Sequence, residues 1–384
     1  MIFSHIEFKN FKIKKKSSKL KKYLKFFLKK KDNVISSLGT DYKFSFDKKN
    51  ITKYKKFSNY RIIGMGGSSL GAQAIFNFLK RKIKKNFIFI DNLENENFRN
   101  NKTKFLNLII SKSGDTLETI VNVNILVKKN DKNIFLTENK KNFLNFLAQN
   151  LKSEVIHHNN FIGGRYSVLS EVGMLPAELM GLDTKKFKQL NKLIKNKYFI
   201  NSLISNVAST IYFLKKKKFN SVIINYDPKS ESLLKWYQQL IAESLGKKGT
   251  GILPIISNMP KDNHSLMQLY LDGFKNNFFT FFYSRNKNSI KVNNKKIFSA
   301  HDYLKDKTID QILLAQKNAT ENVFLRKNIP FRSFEIKDNN EKTLGELFCF
   351  FILETILLAN ALKVNPYDQP SVELIKKETK KILN

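Results

Sequence analysis

Gln239 and Glu243 stand one helical turn apart in "ESLLKWYQQLIAESLGKKG", a spacing that suits shared proton-transfer chemistry. Side chains at i and i+4 lie along the same flank of a helix, here beside Trp236, so both can reach one cleft. Leu233, Tyr237, Leu240 and Ser244 share the face that a core would cover. Gly246 is expected to end the helix, leaving Glu243 in its last turn, where the dipole opposes a carboxylate. A carboxylate there could serve as a general base. A surface glutamate near a helix end is the plain alternative.

Anion chemistry is concentrated earlier in the chain. "RIIGMGGSSLGAQAI" (61–75) runs from an apolar strand into Gly64-Met65-Gly66-Gly67-Ser68-Ser69 and then into an apolar helical segment. Such a turn presents bare N–H groups at a helix start and can hold an anion. A dinucleotide fingerprint is damaged, because Ser69 stands where its third glycine belongs, although Asp91 closes the next predicted strand. A P-loop is excluded, since no Gly-Lys-Ser/Thr follows. In "LIISKSGDTLET" (108–119), Ser111, Lys112, Ser113 and Thr116 sit on a second turn at the end of a predicted strand. Three hydroxyls and a lysine suit the three acceptor oxygens of a phosphate monoester. Asp115 to Glu118 also reads as a capping box, which leaves the Ser-Lys-Ser run unexplained. Two hydroxyl-bearing turns on successive strand ends favour a sugar phosphate over a dinucleotide.

Arg165 follows Gly163 and Gly164 in "GGRYSVLSEVGMLPAELMGLD", where the glycines leave room for a ligand beside the backbone. An arginine so placed fits anion recognition; pairing with a surface acid is the alternative. His264 lies just inside a predicted helix start, after Asp262 and Asn263 as caps. His157 and His158 fall in a loop-like stretch, and no cluster has metal-ligand spacing.

Composition narrows the classes. A chain of 384 residues holds two ordinary domains, and its one cysteine, Cys349, forms no internal disulfide and reads as a buried apolar side chain. The N-terminus has no apolar core of signal-peptide length, and the run around Cys349 is broken by Glu354, short of the about 20 apolar residues that span a bilayer. The expected location is cytoplasmic. The net charge of +37 comes mostly from lysine spread along the chain, with seven arginines among 69 basic residues, so no nucleic-acid partner is expected. Residues 12–32 form a basic amphipathic stretch that is expected to pack Leu20, Leu24, Phe27 and Leu28 on the domain rather than on a membrane.

Strand-like and helix-like segments alternate, which predicts parallel sheets covered by helices. Strands are expected at "RIIGMG", "NFIFID", "FLNLIIS" and "NIFLTE", then at "NSVIINY", "GILPII", "NFFTFFYS" and "FRSFEI". The halves are alike in layout. The expected organisation is an N-terminal helical region (1–50), two α/β domains (51–195 and 196–340) and C-terminal helices (341–384). Doubly wound sheets bind ligands at their carboxyl edges, so two such halves place a site between them.

"GMGGSSLG", "SKSGDTLET", "GGRYSVLS", "QLIAESLGK", "DNHSLMQL" and "DQPSVELIKK" occur in the order and spacing of the glucose-6-phosphate isomerase family, from residue 64 to 377. The chain resembles that family over most of its length. The resemblance implies two sugar-isomerase (SIS) domains of three α/β/α layers with mainly parallel sheets, a C-terminal helical segment, and a homodimer with a composite active site. It implies reversible conversion of glucose 6-phosphate to fructose 6-phosphate, in glycolysis and gluconeogenesis, with neither metal nor organic cofactor. Gly67, Ser68, Ser111, Lys112, Ser113 and Thr116 would hold the phosphate. Glu243 would be the base and Arg165 would stabilise the enediolate. His264, from the neighbouring subunit, would open the sugar ring with Lys376. Glu118, Gly164, Gln239 and Gln369 would line the sugar site. Asp115 stands where many members carry threonine, and Pro370 where larger members carry tryptophan. The alternatives are a non-enzymatic sugar-phosphate-binding SIS protein, which needs neither Glu243 nor His264, an isomerase that also takes mannose 6-phosphate, and a dinucleotide-dependent dehydrogenase resting on Gly64, Gly66 and Asp91.

Overall fold

The computed structural model describes residues 5–12, 17–94 and 104–384. Its strands in chain order are β1 (Ile6–Lys9), β2 (Asn59–Ile63), β3 (Asn86–Ile90), β4 (Leu106–Ile110), β5 (Lys132–Glu138), β6 (Glu154–His158), β7 (Asn220–Asn225), β8 (Leu253–Asn258), β9 (Asn277–Ser284) and β10 (Phe331–Ile336). They form two five-stranded sheets, ordered β3-β2-β4-β5-β6 and β1-β10-β9-β7-β8. The first is parallel throughout. The second is parallel except at its edge, where β1 runs antiparallel to β10 with Ile6 opposite Ile336. The expected α/β class with mainly parallel sheets is the class observed.

Continuous apolar runs make these strands, as sheets covered on both faces require. All five residues of β4 and all eight of β9 are buried. Two strands lie outside the sequence expectation. Residues 6–9 fall in the expected helical region, but Ile6 and Phe8 alternate with exposed-side residues and dock on the second sheet, with the Phe8 ring 4.6 Å from that of Phe334. His157 and His158 end β6 rather than a loop; His158 is buried, and burial holds its imidazole well below the usual value, at about 4.

The helix Ser18–Lys30 buries Leu20 and Leu24, with Phe27 and Leu28 partly covered, so the basic stretch packs on the protein body as expected. The apolar run around Cys349 is longer than the sequence reading allows. It is a helix of 21 residues, Glu341–Ala361, long and apolar enough to cross a membrane, but it is buried from Thr343 to Ala359 by the rest of the chain. Glu354 within it is buried against Arg332 of β10 and the Tyr237 hydroxyl, which donates to it at 3.0 Å. A buried carboxylate needs such partners. The residues after "NPYDQP" form the helix Val372–Leu383, exposed along its length, with Leu374 and Ile375 bare.

The two halves meet where the helix Glu231–Leu245, entered from β7, packs along the helix Leu70–Phe78, entered from β2. Asn77 donates to Ser232 Oγ across this seam at 2.7 Å. The carboxyl edge of the first sheet is thereby brought against a helix of the second half.

Candidate active site

The turn after β2 is the hub. Gly64 sits against the end of β4: a Cβ there would stand 2.6 Å from Ile110 O and 3.0 Å from Ser68 Cβ. Gly66 has φ +53°, and a Cβ would press on Gln239 Nε2 at 2.9 Å. At Gly67 a Cβ would fall 2.2 Å from the carbonyl carbon of Gly164 and 2.5 Å from Arg165 N, so only glycine fits. One five-residue turn thus touches the Ser111 turn, the Gly164–Arg165 segment and the helix bearing Gln239 and Glu243. Its N–H groups open the helix Leu70–Phe78 through a short 3-10 turn, Gly66–Ser68.

Arg165 is 2% exposed and makes five hydrogen bonds. Nη1 donates to Glu243 Oε2 at 2.9 Å and to Gln369 Oε1 at 2.5 Å. Nη2 donates to the carbonyls of Pro366 and Asp368 at 2.6 and 3.0 Å, and Nε donates to Ser244 Oγ at 2.9 Å. The other Glu243 oxygen accepts from Gln239 Nε2 at 2.8 Å. The Glu243 side chain remains 32% exposed, so it has two fixed donors and an open side. The i, i+4 reading of Gln239 and Glu243 is realised as a direct bond, and Gly246 follows the last helical residue.

Sequence reasoning missed the groups that hold the arginine. Ser244 and Tyr166 each follow a flagged residue directly, and the Tyr166 hydroxyl meets Ser244 Oγ at 2.8 Å. Burial pushes that phenol up to about 12, the Ser244 and Arg165 contacts working against it. Lys247 clamps the same 365–369 segment: it pairs with Asp368 at 2.7 Å and holds that carboxyl below the usual range. The signal was present in "AESLGK" as three consecutive uses of one helix end, but only the fold shows which backbone they grip.

The second turn is self-bonded. Ser111 Oγ, buried, lies 2.9 Å from Thr116 Oγ1 and accepts from Gly114 N at 3.2 Å; Ser113 Oγ accepts from Asp115 N at 3.2 Å. Lys112 points to Glu138, at 3.3 Å. Ser68 and Glu118 are half-buried. The expected capping box is not formed, for Thr116 caps the helix Leu117–Leu126 without a side-chain bond. Asp115 instead accepts from Phe143 N at 3.0 Å, the first residue of the next helix, Phe143–Asn150. Its charge is used at a helix N-terminus. Asp91, the dinucleotide candidate, accepts from Gln73.

Within one chain the structure brings Gly67, Gly164, Arg165, Gln239, Glu243 and Gln369 into contact, with Ser68 and the 111–116 turn adjoining. It does not bring His264 or Lys376 to them. His264 ends an exposed 3-10 turn, Lys261–His264, before the helix Met267–Asp272; the expected cap Asp262 accepts from Asn258 N and Ser265 Oγ. Lys376 is exposed and pairs with Glu373 at 2.7 Å. Among the described residues no group of three or more His, Cys, Asp or Glu side chains could hold a metal ion.

Comparison with known proteins gives a consistent picture. The glucose-6-phosphate isomerase of Methanocaldococcus jannaschii is 32% identical over 355 residues, 85% of this chain and 86% of that protein. That of Mycoplasmopsis pulmonis is 32% identical over 84% of this chain and 82% of its own. A hypothetical protein from Thermus thermophilus shares the fold at a TM-score of 0.78 and 24% identity, over 95% and 94% of the two chains. A glucose-6-phosphate isomerase from Chlamydia trachomatis does so at 0.68 and 18% identity, over 88% and 72%. Residues 47–384 match the family description "Phosphoglucose isomerase", and the chain belongs to the phosphoglucose isomerase family.

Proposed function

We propose that this chain interconverts glucose 6-phosphate and fructose 6-phosphate by moving a proton between C2 and C1 through an enediolate. The observation that carries the reading is the Gly64–Ser68 turn, which joins a hydroxyl-rich anion turn to a carboxylate held by Arg165 and Gln239. The phosphate is held by the N–H groups and hydroxyls of Ser68, Ser111, Ser113 and Thr116, with Lys112 leaving Glu138 to join them. The sugar extends past Glu118 and Gly164 toward Gln239 and Gln369.

Glu243 takes the C2 proton of the open-chain aldose. The electron pair moves into the C1–C2 bond, and the carbonyl oxygen gains the charge that Arg165 meets. The C2 hydroxyl proton passes to the C1 oxyanion, and the same carboxyl returns the carbon-bound proton to C1 as the C2 carbonyl forms, giving the ketose. Arg165 is rigid before substrate arrives, so its charge is positioned without reorganisation as the oxyanion forms. Ring opening is assigned to Lys376 and to His264 from the second subunit of a homodimer, since neither reaches Glu243 within one chain. No step requires a metal or an organic cofactor. The single cysteine, Cys349, is buried and unpaired, which fits a cytoplasmic setting.

A coupled assay with fructose 6-phosphate in EDTA tests the reaction; activity lost to chelation and restored by a divalent ion would overturn the metal-free mechanism. Mixing Glu243→Gln and His264→Ala dimers tests the shared site. Hybrids should regain activity, and hybrids formed but inactive would exclude a composite site.

A further inference from the structure

A second cavity lies away from Glu243. It holds about 490 Å³ and lies at the carboxyl edge of the second sheet, walled by the residues that follow β7, β9 and β10 and by Arg81 and Lys82 from the first half. Its volume falls in the range of about 300–1,000 Å³ typical of small-molecule sites, at the edge where parallel α/β sheets take ligands.

Its charges are unequal in availability. The acids are engaged. Asp227 is buried and accepts from Ser230 Oγ at 2.5 Å, and Asp310 accepts from the Tyr283 hydroxyl at 2.8 Å and Asn286 N at 2.9 Å. Asp338 accepts from Asn340 Nδ2 at 2.8 Å. Of the cations, Lys82, Arg285 and Lys337 pair with Glu341, Glu335 and Glu7. Arg81, Lys229 and Lys287 have no carboxylate within 4.0 Å among the described residues. Arg81 is held in place by Asn286 Oδ1. Three cations from three segments therefore line a cleft whose carboxylates are already bonded.

We propose that this cleft is a second anion site that binds a small phosphorylated metabolite, with the phosphate at Arg81, Lys229 and Lys287 and its hydroxyls on the serine and asparagine side chains of the 284–289 loop. The cleft is distinct from the Glu243 site and does not depend on the isomerase reading. Charge-assisted hydrogen bonds are the stronger kind, so losing the three cations should weaken binding by at least tenfold.

The test uses inorganic phosphate, titrated by calorimetry at fixed ionic strength into full-length protein carrying Ser111→Ala and Thr116→Val to weaken the first turn. One phosphate site should persist in this background. Adding Arg81→Gln, Lys229→Gln and Lys287→Gln should weaken it at least tenfold. The charge-matched set Lys129→Gln, Lys132→Gln and Lys215→Gln, exposed and outside the lining of the cleft, should leave it unchanged. Equal loss in both sets would mean diffuse attraction to a lysine-rich surface and would overturn the proposal, as would no remaining site or no effect of the cleft set. Should the triple variant fold poorly, Lys287→Gln alone, on an exposed loop, must weaken phosphate severalfold. In the otherwise wild-type protein, isomerase turnover should stay within about twofold of wild type for the cleft set.

Discussion

The carboxyl edge of the first sheet is finished by tight turns of glycine and hydroxyl residues, Gly64–Ser68 and Ser111–Thr116, where backbone can come within contact of a ligand. The same edge of the second sheet carries Asp227–Lys229, Ser284–Ser289 and Lys337–Asn339, where charged and amide side chains stand between any ligand and the backbone. The sheets share strand number and direction, apart from the antiparallel β1, yet among the described residues only the first has glycine at a point of forced contact on its carboxyl edge. The second half contributes a helix instead. Glu231–Leu245 leaves β7, leans on Leu70–Phe78 and delivers Gln239 and Glu243 across the seam. Similar layout is thus put to unequal use in the proposed mechanism: one half would supply an anion cradle and the other the base.

The sharpest way to break this division is at the base. Glu243→Gln keeps the bond from Gln239 and much of the packing while removing the proton acceptor. Turnover should fall by at least the ~10²–10⁴-fold typical of general-base loss, with KM little changed because the cradle is on the other half. Washout of tritium from C2 should stop; wild-type exchange in the variant would assign the base elsewhere.

The reciprocal change is Ser111→Ala with Thr116→Val. It should raise KM for fructose 6-phosphate roughly 10–100-fold, as loss of two hydrogen bonds to a dianion requires, with a much smaller effect on kcat. A fall in kcat with KM intact would mean that the two halves do not divide the labour in this way. Smaller still is Ser244→Ala. It strips an acceptor from buried Arg165 Nε and from Tyr166, and should lower kcat about tenfold through misplacement of the guanidinium. Ser244→Thr, which restores the hydroxyl, should recover part of it.

What was legible in the sequence follows the same line. Glycine turns, the Gln-Glu pair and the eight expected strands are local patterns, set by periodicity and backbone geometry within a few residues. β1 and β6 were not legible, because four or five residues with one or two apolar positions become strands only when a neighbouring edge accepts them. The partners of Arg165 were hidden for a related reason: Pro366 and Asp368 contribute main-chain carbonyls, about 200 residues away, and a carbonyl leaves no trace in side-chain chemistry. The expected helix over 344–362 is present as Glu341–Ala361, but its apolar run reads as too short to span a bilayer, because Glu354 looks like an interruption until Arg332 is seen beside it.

Asp115 is the finest test of where the cradle ends and its scaffold begins. By position it sits among the phosphate-binding hydroxyls, and a carboxylate there would repel a dianion if it faced the ligand. The structure turns it to Phe143 N, at the start of the helix Phe143–Asn150, where Gly114 O accepts from Leu144 N and Asn142 Oδ1 from Asn145 N. A carboxylate at a helix N-terminus is stabilising, and removing one that accepts from a first-turn N–H costs about 1 kcal/mol. Asp115→Ala should therefore lower the urea midpoint by a corresponding small amount. KM should hold or fall slightly, because one negative charge near the turn is gone while its hydroxyls stay. Asp115→Asn, which keeps an acceptor oxygen for Phe143 N, should restore most of the stability and keep the same KM. A rise in KM of tenfold or more in both variants, with the midpoint unmoved, would put Asp115 inside the cradle and move the boundary between the two roles by one residue.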